Sequence, residues 1–142
     1  MTIWHEDKAP SIDDLNERGK NTLFEHLGMT FISIDDHSAT ATMPVDHRTR
    51  QPLGILNGGS SLAMAEAVTS AVASFTVNPE THYTVGLEIN ANHLRSVKTG
   101  NTVTGTARAI HRGRKTQVWE FKMSCQDKLC CTARFTVMVL EK

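Results

Sequence analysis

Runs of alternating apolar and polar residues fill most of the chain after residue 28 and predict β-strands. Glycine, proline and short polar turns divide them into runs at residues 31–34, 39–43, 83–92, 101–110, 116–124 and 129–140. A long helical pattern starts at Gly58 and ends near Phe75. We therefore predict an α+β fold, in which one long helix packs on a curved antiparallel sheet of about five or six strands. Trp119 and Phe121 alternate with polar neighbours and are expected in the core rather than against a substrate.

The first 28 residues predict a helical segment within the same domain. Ser11 is suited to cap a short acidic first turn, and Gly28 is suited to end a second helical piece. A chain of 142 residues can bury a core without disulfides. We expect a single domain over residues 1–142.

Charge and cysteine content exclude several classes of function. The 15 basic residues balance 15 acidic ones, and this zero net charge removes the general electrostatic attraction on which nucleic-acid binding depends. Residues 1–10 are too polar for a signal peptide, and we expect a cytoplasmic protein that is not embedded in a membrane. Cys125, Cys130 and Cys131 lack metal-binding spacing and are interpreted as reduced thiols in a strand.

Glu66 is the only ionisable residue between Gly58 and Val77. A helix without a charged face is expected to be buried, and we predict that Glu66 is sheltered from water there. Such a carboxylate is suited to act as a general base or nucleophile, with Ser70 four residues later on the same face. The alternative is a glutamate that is solvated or paired with an arginine.

Gly58 and Gly59 begin the same helix and allow close approach of a ligand to the backbone. Free N–H groups at a helix N-terminus can bind a developing oxyanion, although a glycine pair can also serve only as a turn. Eight residues separate Gly58 from Glu66, which is about 12 Å along a helix. If both residues act on one substrate, the helix of a second subunit must run antiparallel beside the first.

Several short motifs resemble those of one enzyme family in order and spacing: Met43-Pro44-Val45-Asp46, Gln51-Pro52-Leu53-Gly54, Gly58-Gly59, Glu66, Gly86-Leu87-Glu88-Ile89-Asn90-Ala91-Asn92-His93, and Gly113-Arg114 followed by Trp119. The chain resembles, over nearly its whole length, the hotdog-fold acyl-CoA thioesterases of the second 4-hydroxybenzoyl-CoA thioesterase type. Within that family it is most similar to bacterial enzymes that hydrolyse 1,4-dihydroxy-2-naphthoyl-CoA in menaquinone synthesis, and to the proofreading thioesterase of enterobactin synthesis.

The resemblance implies a homodimer with shared sites, commonly paired into a homotetramer, and an acyl-CoA substrate. Glu66 would attack the thioester carbonyl or activate water, and Gly58 N–H would hold the oxyanion. Gln51 and Ser70 would position water, carbonyl or carboxylate. The family usually has histidine where this chain has Asn57, and an amide can donate a hydrogen bond there but cannot transfer a proton.

The resemblance further implies contacts of the substrate and its CoA part with Gly59, Gly86, His93, Leu94, Arg95, Ser96, His111, Arg112, Gly113, Arg114 and Lys115. The stretch 108–115 concentrates positive charge and suits the phosphates of CoA, although solvated hairpin turns have similar composition. The histidine spacings do not match metal motifs, so we predict no metal, and no cofactor beyond the CoA of the substrate.

These observations favour a hydrolase of aromatic or medium-chain acyl-CoA thioesters. A second hypothesis, suggested by Asn57, is a module that binds acyl-CoA or an acyl carrier protein without catalysis. A hotdog dehydratase is disfavoured, because such sites usually pair a carboxylate with the histidine that is missing here.

Overall fold

A computed structural model describes residues 1–142 and contains three helices and six strands. They are α1 (Ile12–Arg18), α2 (Leu23–His26), β1 (Thr30–Ile34), β2 (Ser38–Pro44), α3 (Gly58–Ser74), β3 (His82–His93), β4 (Thr102–Arg112), β5 (Thr116–Cys125) and β6 (Lys128–Glu141), preceded by a short 3-10 turn at His5–Asp7. The strands form one antiparallel sheet in the order β1-β2-β4-β5-β6-β3. The predicted α+β architecture is confirmed.

Helix α3 lies on one face of the sheet and contacts every strand from β2 to β6. Its buried residues Met64, Val68 and Val72 belong to one apolar cluster with Trp119 and Phe121, which are fully buried as predicted. Small residues alternate with these larger ones along α3, which lets the curved sheet approach the helix on several sides. No helix combines the length and the apolar character that a bilayer span requires.

The predicted N-cap at Ser11 is confirmed and forms a reciprocal pair with Asp14. Ser11 Oγ accepts a hydrogen bond from Asp14 N at 3.0 Å, and the Asp14 carboxylate accepts one from Ser11 N at 2.9 Å. Leu15 of α1 and Phe24 of α2 insert into the common apolar cluster. The N-terminal helices are thereby fixed beside α3.

Strand β3 is one of the two edge strands of the sheet. It pairs with β6, the last strand of the chain, and its other edge pairs with nothing in the chain. A bulge between Gly86 and Glu88 interrupts the register, and Val85 and Leu87 on this strand are exposed. A free edge of this length is suited to pairing with another strand.

Candidate active site

The N-terminus of α3 begins with a cap that leaves one backbone donor free. The Asn57 side-chain oxygen accepts a hydrogen bond from Gly59 N at 2.7 Å. The Asn57 carbonyl oxygen accepts hydrogen bonds from the N–H groups of Ser60 and Ser61. Gly58 N–H donates to no acceptor in the protein. An unpaired N–H at the positive end of a helix can stabilise an oxygen that gains negative charge.

A cavity of about 320 Å³ opens beside this donor; we refer to it as the Gly58 cavity. It brings together six residues predicted from the sequence: Gln51, Gly58, His93, Leu94, Arg95 and Ser96. The turn at Gln51 is held by its own side chain, whose oxygen accepts a hydrogen bond from Leu53 N at 2.5 Å. The rest of the lining is Ile55, Leu56, Ser61, Val97, Met123 and Cys130, which no sequence motif distinguished.

The His93 ring lies against the backbone of Gly58. A Cβ atom added at Gly58 would lie 2.9 Å from His93 Nε2, so only glycine lets the imidazole stay in place. The N–H groups of Leu94 and Arg95 donate to the Cys130 carbonyl oxygen at 2.9 and 3.3 Å. The end of β3 is therefore held beside the N-terminus of α3.

Cys130 is the one thiol that lines the Gly58 cavity. Burial is the main cause that raises the pKa of the Cys130 thiol to about 11. Its Sγ donates to the Met123 carbonyl oxygen at 3.2 Å. Since the nucleophilic form of cysteine is the thiolate, Cys130 is a structural thiol at neutral pH. The three cysteines are free, as predicted.

Glu66 lies two helical turns after Gly58 and does not line the Gly58 cavity. Its Oε1 is close to Gly86 of β3, where a Cβ atom would lie 3.0 Å from it. Its carboxylate accepts no hydrogen bond in the chain and forms no ion pair, which leaves it free for chemistry.

The predicted sheltering of Glu66 is wrong for the single chain, where this residue is exposed. The physical reason is its position beside β3, because no further strand of the chain lies beyond that edge. Ser70, expected on the same helix face to position water, carbonyl or carboxylate, makes no hydrogen bond to the Glu66 carboxylate in the chain and lines a separate cavity.

Ser70 lines a different cavity, which has a volume of about 400 Å³ and which no sequence pattern predicted; we call it the N-terminal cavity. It lies between α1, α2, α3 and β3, and its lining residues are Leu15, Arg18, Gly19, Thr22, Leu23, Phe24, Phe31, Ala67, Ser70, Ala71, Ser74 and Thr84. It is a mainly apolar space one helical turn beyond Glu66.

The residues of the basic hairpin between β4 and β5 differ in what they contact. Arg112 donates to the carbonyl oxygens of Ile3 at 2.8 Å and Thr2 at 3.4 Å, so it anchors the N-terminus and is a poor candidate for a phosphate. The His111 ring lies against Gly113. Arg114 and Lys115 border an open cavity of about 550 Å³, together with His82, Met138, Val139, Leu140 and Glu141.

This hairpin and the segment 93–96 do not come together in one chain. Thr116 at the hairpin pairs with Met138, whereas Met123 pairs with Cys131, which in turn pairs with His93. Met123 comes seven positions after Thr116 in β5, which is a distance of about 23 Å along the strand. Within a single chain, the hairpin and the segment 93–96 therefore cannot both contact the same part of a bound ligand.

Together these parts provide two complementary functions that are separated in space. The Gly58 cavity offers an oxyanion donor beside a partly apolar space, and Glu66 offers an unpaired carboxylate. Acyl transfer to water needs both within about 3 Å of one reacting carbonyl. Helix α3 holds them about 12 Å apart along its axis, so if both act on one carbonyl, a second copy of the helix must supply one of them.

The chain is similar to several known proteins over nearly its whole length. The sequence model of the thioesterase superfamily matches residues 53–132. The crystal structure of a mutant thioesterase from Pseudomonas aeruginosa is similar at 44% identity with a TM-score of 0.94, covering 99% of this chain and 100% of that chain. A thioesterase structure from Haemophilus influenzae is similar at 41% identity with a TM-score of 0.91, covering 99% of this chain and 96% of that chain. The 1,4-dihydroxy-2-naphthoyl-CoA hydrolase of Escherichia coli is 40% identical over 139 residues, covering 97% of this chain and 99% of its own length.

Proposed function

The chain belongs to the thioesterase superfamily, has the hotdog fold and is a thioester hydrolase, and we propose that its substrate is an acyl-CoA with an aromatic or medium-length acyl group. The observation that carries the proposal is α3 itself, which presents the free Gly58 N–H at one end and the unpaired Glu66 carboxylate two turns later. The similarity to a 1,4-dihydroxy-2-naphthoyl-CoA hydrolase supports an aromatic acyl group and a role in menaquinone synthesis.

The active form is a homodimer joined through β3. Antiparallel pairing of two β3 edges about a two-fold axis would extend the sheet and set two α3 helices side by side in opposite directions. Gly58 would then face Glu66 of the partner subunit, and the exposed side of Glu66 would be covered. Two such dimers would form the tetramer implied by the family resemblance.

In each shared site, Gly58 N–H would donate to the thioester carbonyl oxygen and stabilise the negative charge that develops on it. Glu66 of the partner subunit would then act by one of two routes. It either attacks the carbonyl carbon, releasing CoA thiolate and leaving an anhydride that water hydrolyses, or it takes a proton from the attacking water. Gln51 borders the same cavity and would position the carbonyl or the water.

The pantetheine arm would run along the Gly58 cavity past His93, with Arg95 near its outer end. Arg114 and Lys115 remain available for phosphates, and the strand separation means that a neighbouring subunit would supply them. The same entrance would admit the arm of an acyl carrier protein.

Release of free thiol from benzoyl-CoA, 1,4-dihydroxy-2-naphthoyl-CoA and hexanoyl-CoA tests the proposal. We expect turnover of at least one of the three, with the aromatic substrates preferred. No turnover of any of them by a protein that binds CoA would contradict it. That result would favour a non-catalytic acyl-CoA binding module, the alternative suggested by Asn57 at the helix entrance.

Replacing Asn57 with histidine should lower stability relative to the wild type and raise turnover relative to Asn57→Ala. Asn57→His removes the side-chain acceptor that caps Gly59 N, so the free energy of unfolding should fall by about 1 kcal/mol. The imidazole can donate to the thioester oxygen and transfer a proton, so kcat should rise about tenfold over Asn57→Ala, which loses the cap equally. Denaturant unfolding and steady-state kinetics of both variants measure the two effects. Equal kcat values in the two variants would show that position 57 does not take part in the reaction.

A further inference from the structure

One charged side chain of the N-terminal cavity has no role in the mechanism proposed above. Arg18, the last residue of α1, lines this cavity and forms no ion pair in the chain. Two contacts define where its guanidinium lies. It stacks over the Phe75 ring at 4.7 Å from the centroid, and one nitrogen donates to Ser74 Oγ at 3.0 Å. The remaining guanidinium donors have no acceptor within hydrogen-bonding distance.

The cavity lies next to Glu66, although Glu66 itself is not part of its lining. Ala67 and Ser70, both in its lining, are the residue after Glu66 and the residue one turn later. Thr84, also in the lining, lies two residues before Gly86 and therefore on the same face of β3. Since a Cβ atom at Gly86 would lie 3.0 Å from Glu66 Oε1, this end of the cavity is the one near the carboxylate.

Arg18 lies at the other end of this space. Its hydrogen-bond partner Ser74 comes eight residues after Glu66, which is about 12 Å along α3. Leu15, Leu23, Phe24, Ala67 and Ala71 provide apolar wall between the two ends, interspersed with the hydroxyl side chains of Thr22, Ser70 and Thr84. The cavity thus suits an extended acyl group that is apolar in its middle and carries an acceptor at its far end.

We propose that Arg18 is a specificity-determining residue that selects acyl groups with a carboxylate at the end far from the thioester. The proposal rests on the hydrolase function proposed above and specifies the far end of a medium-length acyl group. A planar guanidinium with unused donors can bind a carboxylate through two parallel hydrogen bonds. Arg18 is exposed in the chain, so the selectivity rests on the paired donors rather than on burial of the two charges.

Two thioesters of equal chain length test the inference: suberoyl-CoA, which ends in a carboxylate, and octanoyl-CoA, which ends in a methyl group. We expect Arg18→Gln to lower kcat/KM for suberoyl-CoA about tenfold, mainly through KM, and to change kcat/KM for octanoyl-CoA less than about twofold. Arg18→Lys should restore part of the lost kcat/KM, because it keeps the charge without the paired donors. Lys20→Gln removes an exposed charge two residues away that pairs with Glu17, and should leave the ratio of the two substrates unchanged.

Each outcome separates this inference from the function on which it rests. If wild-type protein and Arg18→Gln hydrolyse both thioesters with the same ratio, Arg18 does not select the acyl group, and the hydrolase proposal stands. An equal loss on both substrates would assign Arg18 a structural role and overturn the inference. If the wild-type protein hydrolyses benzoyl-CoA but neither of the two C8 thioesters, only this inference fails; if it hydrolyses no thioester of either set, the hydrolase proposal fails as well.

Discussion

Replacement of Glu66 with glutamine is expected to lower kcat by about 10²–10⁴-fold, the usual contribution of a positioned acid or base, while the fold persists. Glutamine keeps the volume of the side chain but can neither take a proton nor attack a carbonyl. The carboxylate forms no hydrogen bond or ion pair in the chain, so the free energy of unfolding should change by less than about 0.5 kcal/mol. Steady-state thiol release and denaturant unfolding measure the two quantities.

Glu80→Gln is the matched control for this variant. Glu80 is an exposed glutamate in the turn between α3 and β3, and it lines none of the cavities described above. We expect wild-type kcat from it. A kcat for Glu66→Gln within about threefold of that control would mean that the reaction uses another group.

Replacement of Gly58 with proline should remove the oxyanion donor with little effect on the helix. Proline has no N–H and is well suited to the first position of a helix. Asn57 before it already has φ −70° and ψ 130°, the extended conformation that a following proline requires. Loss of one oxyanion donor costs about 10²–10³-fold in kcat, and we expect a loss of that size here.

The control for Gly58→Pro is Gly58→Ala, which adds a Cβ atom but keeps the N–H. Both variants press on the His93 ring, which a Cβ atom at position 58 would approach to 2.9 Å. The ratio of their kcat values therefore isolates the donor from the displacement of His93. Equal kcat values would show that the Gly58 N–H does not stabilise the transition state.

Local chemistry in the sequence predicted much of this fold and site. Residues close together in the sequence determine both the Ser11 cap and the long helix in which Glu66 is the only ionisable residue. The structure contains both features. The pairing of β3 with β6 joins residues about fifty positions apart in the chain, and no turn between them encodes it. That pairing also places Gly86 next to Glu66 and His93 next to Gly58. Neither adjacency could be predicted from the sequence.

Two further features depended on contacts that sequence patterns do not carry. Arg112 belongs to a basic run that resembles a phosphate site, yet its guanidinium binds carbonyl oxygens at the other end of the chain. Asn57 was interpreted through the missing histidine, whereas its side chain acts as a helix cap. The exposure of Glu66 follows from its place beside a sheet edge, which becomes an interior position only when a second chain covers it.

Subunit complementation tests the shared site most directly. Glu66→Gln and Gly58→Pro chains, each nearly inactive alone, are co-expressed so that mixed dimers form. If each site combines Gly58 of one subunit with Glu66 of the other, every mixed dimer contains one intact site, and random assortment restores about a quarter of the wild-type kcat per chain. If the two residues act within one chain, no mixed dimer contains an intact site. Activity no higher than that of the two single variants would then contradict the account.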